Sequence, residues 1–130
     1  MSPLYLLDTS VCVPVLRVRA SLRELPAPEE TAISAVVAAE LWAGANKLGS
    51  GNPQYSRVEE FLKIFETIDF SADAARHYGE IRADLEKRGT PIGPLDLLIA
   101  AHARSLGATL VTANAGEFRR VRGLKVLTWK

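Results

Sequence analysis

The apolar run from Leu4 to Leu7 stops abruptly at Asp8 and Thr9. A strand that is apolar at every position has no face to give to water, so it belongs in a sheet covered on both sides. Parallel strands need crossover connections, and those are usually helices, so this one run already points to a parallel sheet held between helical layers.

The rest of the chain supplies those layers. Ser10 is placed to cap a helix from Val11 toward Arg19, and Leu25 to Glu30, with two prolines and two glutamates, reads as a loop. Thr31 to Ile33 is a brief strand, and Ser34 is the N-cap of a helix from Ala35 to about Lys47, which the GSGNP run ends. Apolar residues at 58, 61, 62 and 65 predict a helix over Arg57 to Phe65, followed by a short strand over Thr67 to Phe70. Ser71 caps an amphipathic helix to Arg88, with Asp73 at its positive end and Gly89 at its exit. Pro94 opens a helix that reaches Leu106 and stops at Gly107. Ala108 to Val111 and Lys125 to Trp129 are the last strands. This order is that of a three-layer α/β fold with a mainly parallel central sheet flanked by helices. At 130 residues with short loops, it calls for a single domain, 1–130.

Composition excludes several classes. One cysteine, Cys12, rules out an internal disulfide and a multi-thiolate zinc site, and it reads as a small buried hydrophobe in a reducing compartment. A formal charge of +1 gives no bulk attraction for nucleic acid, so such binding has to rest on local groups: Arg17, Arg19 and Arg23, or Arg119, Arg120 and Arg122. No window is long and apolar enough for a membrane span, and the N-terminus has no basic leader, so a cytoplasmic protein is expected, with no membrane partner.

Three carboxylates break the apolar pattern: Asp8 at the end of LYLLD, Glu40 inside SAVVAAELW, and Asp96 inside PLDLLIAAHA. Asp8 closes the first strand, Glu40 lies about two turns into the helix after the second, and Asp96 lies in a first helical turn, so all three map to the carboxyl end of the sheet. Asp96 shares its helical stripe with Ile99, Ala100 and Ala103, and Glu40 shares its stripe with Val36, Val37 and Ala43, which turns both inward. Buried charges must be paired or must hold a cation, and an oxygen-only set favours Mg²⁺ or Mn²⁺ over zinc. His102 falls on a packed helix face and His77 on a partly exposed one, so neither serves as a general acid or base. A phospho-acceptor role for Asp8 would want a further acid two residues away, as in DxD, and there is none.

At these residues the chain resembles the PIN-domain ribonucleases, and within them the VapC-type toxins of type II toxin–antitoxin modules. The matching segments are LLDTSV at 6–11, AAELWAGA at 38–45, IGPLDLLIAAHAR at 92–104 and LVTANAGEFRRV at 110–121. The resemblance implies a Mg²⁺-dependent endoribonuclease, with Mn²⁺ as the other candidate ion. Asp8 and Asp96 would be direct ligands, and Glu40 would bind through water or orient the nucleophile. Thr9 and Ser10 would add hydroxyls to the pocket. Where many members of the family carry a fourth acid, this chain has Asn114; Glu117 either stands in for it in part, or caps a helix, or lies on the surface. The implied partners are RNA and a cognate VapB-like antitoxin, in a homodimer or a toxin–antitoxin hetero-oligomer. The helix from Ala35 to Lys47 and the apolar residues of 11–16 are the surfaces expected to meet the antitoxin. A maturation nuclease of the same fold, or an inactive RNA- or protein-binding PIN domain, is the alternative; intact Asp8, Glu40 and Asp96 weigh against the inactive form.

Overall fold

The computed structural model describes residues 3–49 and 51–129; Ser50 of the GSGNP run and the side chain of Arg19 lie outside the described residues. In chain order the main elements are β1 (Tyr5–Leu7), α1 (Thr9–Arg17), β2 (Thr31–Ser34), α2 (Ala35–Lys47), α3 (Pro53–Ile64), β3 (Glu66–Ile68), α4 (Ala72–Lys87), α5 (Pro94–Leu106), β4 (Thr109–Thr112), α6 (Ala115–Phe118) and β5 (Lys125–Thr128). Short 3₁₀ segments, Arg19–Glu24 and Pro28–Glu30, bridge α1 to β2.

The five strands form one sheet in the order β3-β2-β1-β4-β5, and every pairing is parallel. The mainly parallel sheet read from the sequence is therefore parallel throughout. Neighbouring residues in a strand point to opposite faces, so Leu6 and Leu7, Ala32 and Ile33, and Leu110 and Val111, all at most 1% exposed, show that helices cover both faces of the three central strands. The edge strands are short and polar: Glu66 and Thr67 on β3, and Lys125 and Thr128 on β5, are exposed. Such edges do not invite further pairing.

Side-chain caps explain where three of the helices start. Ser34 Oγ accepts from Val36 N at 3.1 Å, Asn52 Oδ1 from Gln54 N at 2.8 Å, and Ser71 Oγ from Ala74 N at 3.0 Å. Each such cap contributes about 1 kcal/mol. Gly107, at φ 66°, takes the left-handed conformation that lets α5 end and β4 begin at once.

The structure moves several predicted boundaries, each for a local reason. Ser10 is not the cap of α1: Asp8 is still extended at φ −77°, ψ 156°, the helix starts at Thr9, and Ser10 lies inside it with its hydroxyl turned to Asp8. The helix ends at Arg17, where Val18 returns to an extended backbone, so the chain reaches Arg19 as a 3₁₀ turn. Strand β3 ends at Ile68 and not at Phe70, because its partner β2 turns into α2 after Ser34, opposite Ile68, and leaves nothing to pair with. Helix α3 begins four residues earlier than the apolar spacing alone predicts, at Pro53 behind the Asn52 cap.

Candidate active site

Strands β1, β2 and β4 all run the same way, so their carboxyl ends, and the N-termini of the helices that follow, gather along one edge of the sheet. Asp8 is the hinge between β1 and α1 and is only 3% exposed. Its N–H donates to the Val111 carbonyl at 2.9 Å, which fixes it beside β4. Its Oδ2 accepts two hydroxyl bonds, from Ser10 at 2.6 Å and from Thr112 at 2.8 Å. Both fall on one oxygen, and among the described residues Oδ1 is left without a protein donor. The two hydroxyls also accept from the chain that leaves β4, Ser10 Oγ from Ala113 N at 3.0 Å and Thr112 Oγ1 from Asn114 N at 2.9 Å.

Glu40 lies in the second turn of α2, half-buried, and its Oε1 accepts from Thr9 Oγ1 at 2.7 Å. That bond ties α2 to the first residue of α1. Asp96 is the third residue of α5, in the turn where the helix dipole favours an acid, and its Oδ2 lies 3.8 Å from the point a Gly93 Cβ would occupy. Its carboxyl is pushed up from the ordinary 3.8 to about 7. Burial is the largest cause, followed by a hydrogen bond shared with Glu117 and by the negative charges of Asp8, Glu117 and Glu40. Asp8 and Glu40 also add to the burial that raises the thiol of Cys12, so that thiol stays protonated and inert. Charges that act on one another in this way lie near one another.

Four like-charged groups cannot all ionise together at low cost unless a cation compensates them. The donors are carboxylates and hydroxyls, which suits a hard divalent ion such as Mg²⁺ or Mn²⁺. Each carboxylate is now turned to its own partner, and among the described residues no three His, Cys, Asp or Glu side chains close around one point. By charge and donor type the set fits such an ion.

Of the residues singled out in the sequence, Asp8, Thr9, Ser10, Glu40, Asp96 and Glu117 come together here. Asn114 is exposed at the N-cap of α6; its backbone enters the network, but its side chain makes no capping bond. Thr112, fully buried, was missed. Its signal is a hydroxyl residue closing an apolar strand, and placing that strand one residue early, over Ala108 to Val111, left it out.

Neither histidine touches the carboxylates. His77 accepts from Arg104 Nε at 2.8 Å, and His102 is fully buried. The C-terminal arginines are partly engaged: Arg119 donates to Thr128 Oγ1 at 2.9 Å, Arg120 to the Pro91 carbonyl at 3.2 Å, and Arg122 lies 3.6 Å from Asp84. Trp42 packs on Tyr55, with ring centroids 5.2 Å apart.

A parallel sheet whose carboxyl edge gathers four acids also matches a family description: residues 5–124 fit the PIN domain. The chain belongs to the PIN-domain family. Within it, this PIN domain is 40% identical over 131 residues to ribonuclease VapC2 of Rickettsia felis, covering 97% of this chain and 98% of that protein. It is 39% identical over 128 residues to the tRNA(fMet)-specific endonuclease VapC of Shigella flexneri, covering 96% and 97%. Among solved structures, it superposes on DNA-bound VapBC from Salmonella typhimurium with a TM-score of 0.91, at 34% identity over 100% of both chains. The DNA-bound VapBC2 complex from R. felis gives 0.85, at 39% identity over 97% and 98%.

Proposed function

We propose that this chain, acting as a single domain, is a Mg²⁺- or Mn²⁺-dependent endoribonuclease and the toxin of a type II toxin–antitoxin module. The observation that carries the reading is the placement of Asp8, Glu40 and Asp96 at the carboxyl edge of a parallel sheet in a PIN-family chain, with Asp8 held by Ser10 and Thr112 and Glu40 by Thr9. Asp8, through Oδ1, and Asp96 would hold the ion, with Glu40 reaching it through water. When bound, the ion supplies the positive charge needed as the phosphoryl oxygens gain negative charge during hydrolysis. Thr9 holds Glu40 by Oε1, which leaves Oε2 to orient the attacking water. Ser10 and Thr112 hold Asp8 by Oδ2 and keep its other oxygen in place. Asp96, whose carboxyl burial and its acidic neighbours push up to about 7, would have to be ionised to hold the ion. Asn114, exposed beside this network, would offer an amide without adding charge.

The partner we assign is a VapB-like antitoxin, as in the VapBC complexes that this chain resembles. Its docking surface would be a groove of about 320 Å³ between α1 and α3, floored by Val15, Leu16, Phe61 and Ile64 and rimmed by Arg17 and Arg57. This shifts part of the expected surface from α2 to α3. A homodimer within the complex completes the reading. Among the described residues no helix is long and apolar enough to cross a membrane; the cytoplasm, where RNA is available, is the compartment we assign.

The test is incubation of the purified chain with total tRNA, the substrate class named for the S. flexneri relative. Mg²⁺ should support cleavage, and EDTA or Asp8→Asn should abolish it. Cleavage that survives both would rule out the assignment.

A further inference from the structure

Two buried side chains connect the helices that carry Glu40 and Asp96 without touching either carboxylate. Ser34, the last residue of β2 and the N-cap of α2, and His102, in α5, are both 0% exposed. His102 Nδ1 and Ser34 Oγ are 2.7 Å apart. Ser34 Oγ accepts from Val36 N at 3.1 Å, so one hydroxyl both starts α2 and joins it to α5. Phe70 packs against the imidazole at a centroid distance of 5.4 Å and 69° between planes, which restrains the ring. Among the described residues Nε2 has no hydrogen-bond partner, and burial pushes the ring's pKa down, which favours the neutral form. A neutral ring offers one acceptor and one donor, and the Ser34 bond is its one well-made contact.

The spacing is what gives this contact a role. Glu40 lies six residues after Ser34 along α2, and Asp96 lies six residues before His102 along α5. At about 1.5 Å per residue, each carboxylate is carried roughly 9 Å along its own helix from the shared bond. Helices are stiff over that length, so a small change in how the two meet at Ser34 and His102 is passed directly to the separation of the two acids. A purely apolar contact would permit sliding; a short hydrogen bond at a helix N-cap does not.

We propose that His102 is a positioning residue for the acidic site: its bond to Ser34 sets the distance between Glu40 and Asp96 and so the affinity for a divalent ion. The inference rests on the reading of the site given above. It is tested on the full chain with wild type, His102→Leu, His102→Asn and Ser34→Gly. The readouts are Mn²⁺ affinity by calorimetry, the thermal midpoint in EDTA, and kcat and KM on tRNA. Leu keeps the bulk but not the bond. Asn places an amide near the position of Nδ1. Gly is tolerated at an N-cap and removes the hydroxyl without adding bulk, so it remains informative if the Leu variant does not fold.

His102→Leu and Ser34→Gly should weaken Mn²⁺ binding and kcat by roughly 3- to 10-fold, less than the roughly 10- to 100-fold lost with a partner that touches a ligand, since neither residue does, with His102→Asn recovering most of it. Wild-type Mn²⁺ affinity in Ser34→Gly or in a folded His102→Leu overturns the inference, even if the thermal midpoint drops. So does an Asn variant no better than Leu. A wild-type protein that binds no Mn²⁺ and cuts no RNA fails the reading of the site itself, and the inference with it. A wild type that does both beside variants that do both equally well fails the inference alone.

Discussion

Asp96→Asn should make the protein more stable, not less, when divalent ions are chelated. The carboxyl has an ordinary value of 3.8 and sits at about 7 in the folded chain. Below pH 4 it is protonated in both folded and unfolded states and adds nothing. Between pH 4 and pH 7 the unfolded chain releases the proton while the folded chain retains it, so stability is lost across that window, and above pH 7 the whole cost is present. Three pH units correspond to an upper bound of about 4 kcal/mol, but Asp96 is only half-buried and water screens it, so about 1–2 kcal/mol is expected. For a chain of this size that is roughly 3–8 °C in melting temperature. An Asn amide can still donate to Glu117, so the hydrogen bond is kept while the repulsion goes. The assay is thermal denaturation of both proteins in EDTA from pH 4 to pH 8, read as the difference between them, which cancels groups such as Asp84 whose carboxyl Arg88 holds below its usual range. The advantage of Asn should grow from near zero at pH 4 to its full size by pH 8. A difference that stays flat, or that favours Asp at pH 8, refutes the picture of crowded carboxylates.

Thr112→Val removes the hydroxyl between Asp8 Oδ2 and Asn114 N with almost no change of shape. A buried hydrogen bond to a charged group contributes about 1.5–3 kcal/mol, so a loss near 2 kcal/mol in urea unfolding is expected, and a variant as stable as wild type would remove Thr112 from the site's support. Cys12, buried in α1, should resist alkylation in the native protein at pH 8 and react only on unfolding in urea, as measured by mass spectrometry; rapid native labelling would contradict its place in the core.

Most of the architecture was legible because the strongest signals are those that burial imposes. Leu6 and Leu7, apolar on both faces, announced a covered parallel strand, and Ser34 and Ser71 cap the helices their positions indicated. Asp8, Glu40 and Asp96 stood out because a charge among apolar residues has no local reason to be there. What stayed hidden depends on contacts distant in the chain. The end of β3 is set by where β2 turns away, and Thr112, 102 residues beyond Ser10, reaches Asp8 only because β4 lies beside β1. The pairing of His102 with Ser34, across 68 residues, leaves no periodic trace at all.

Calorimetric titration of Mn²⁺ into wild type, Asp8→Asn, Glu40→Gln and Asp96→Asn tests the shared acidic site most directly. Wild type should bind, and each substitution should weaken binding at least about tenfold while the far-ultraviolet circular dichroism spectrum is unchanged. Equal affinity in all four folded proteins would mean that these side chains do not serve one ion.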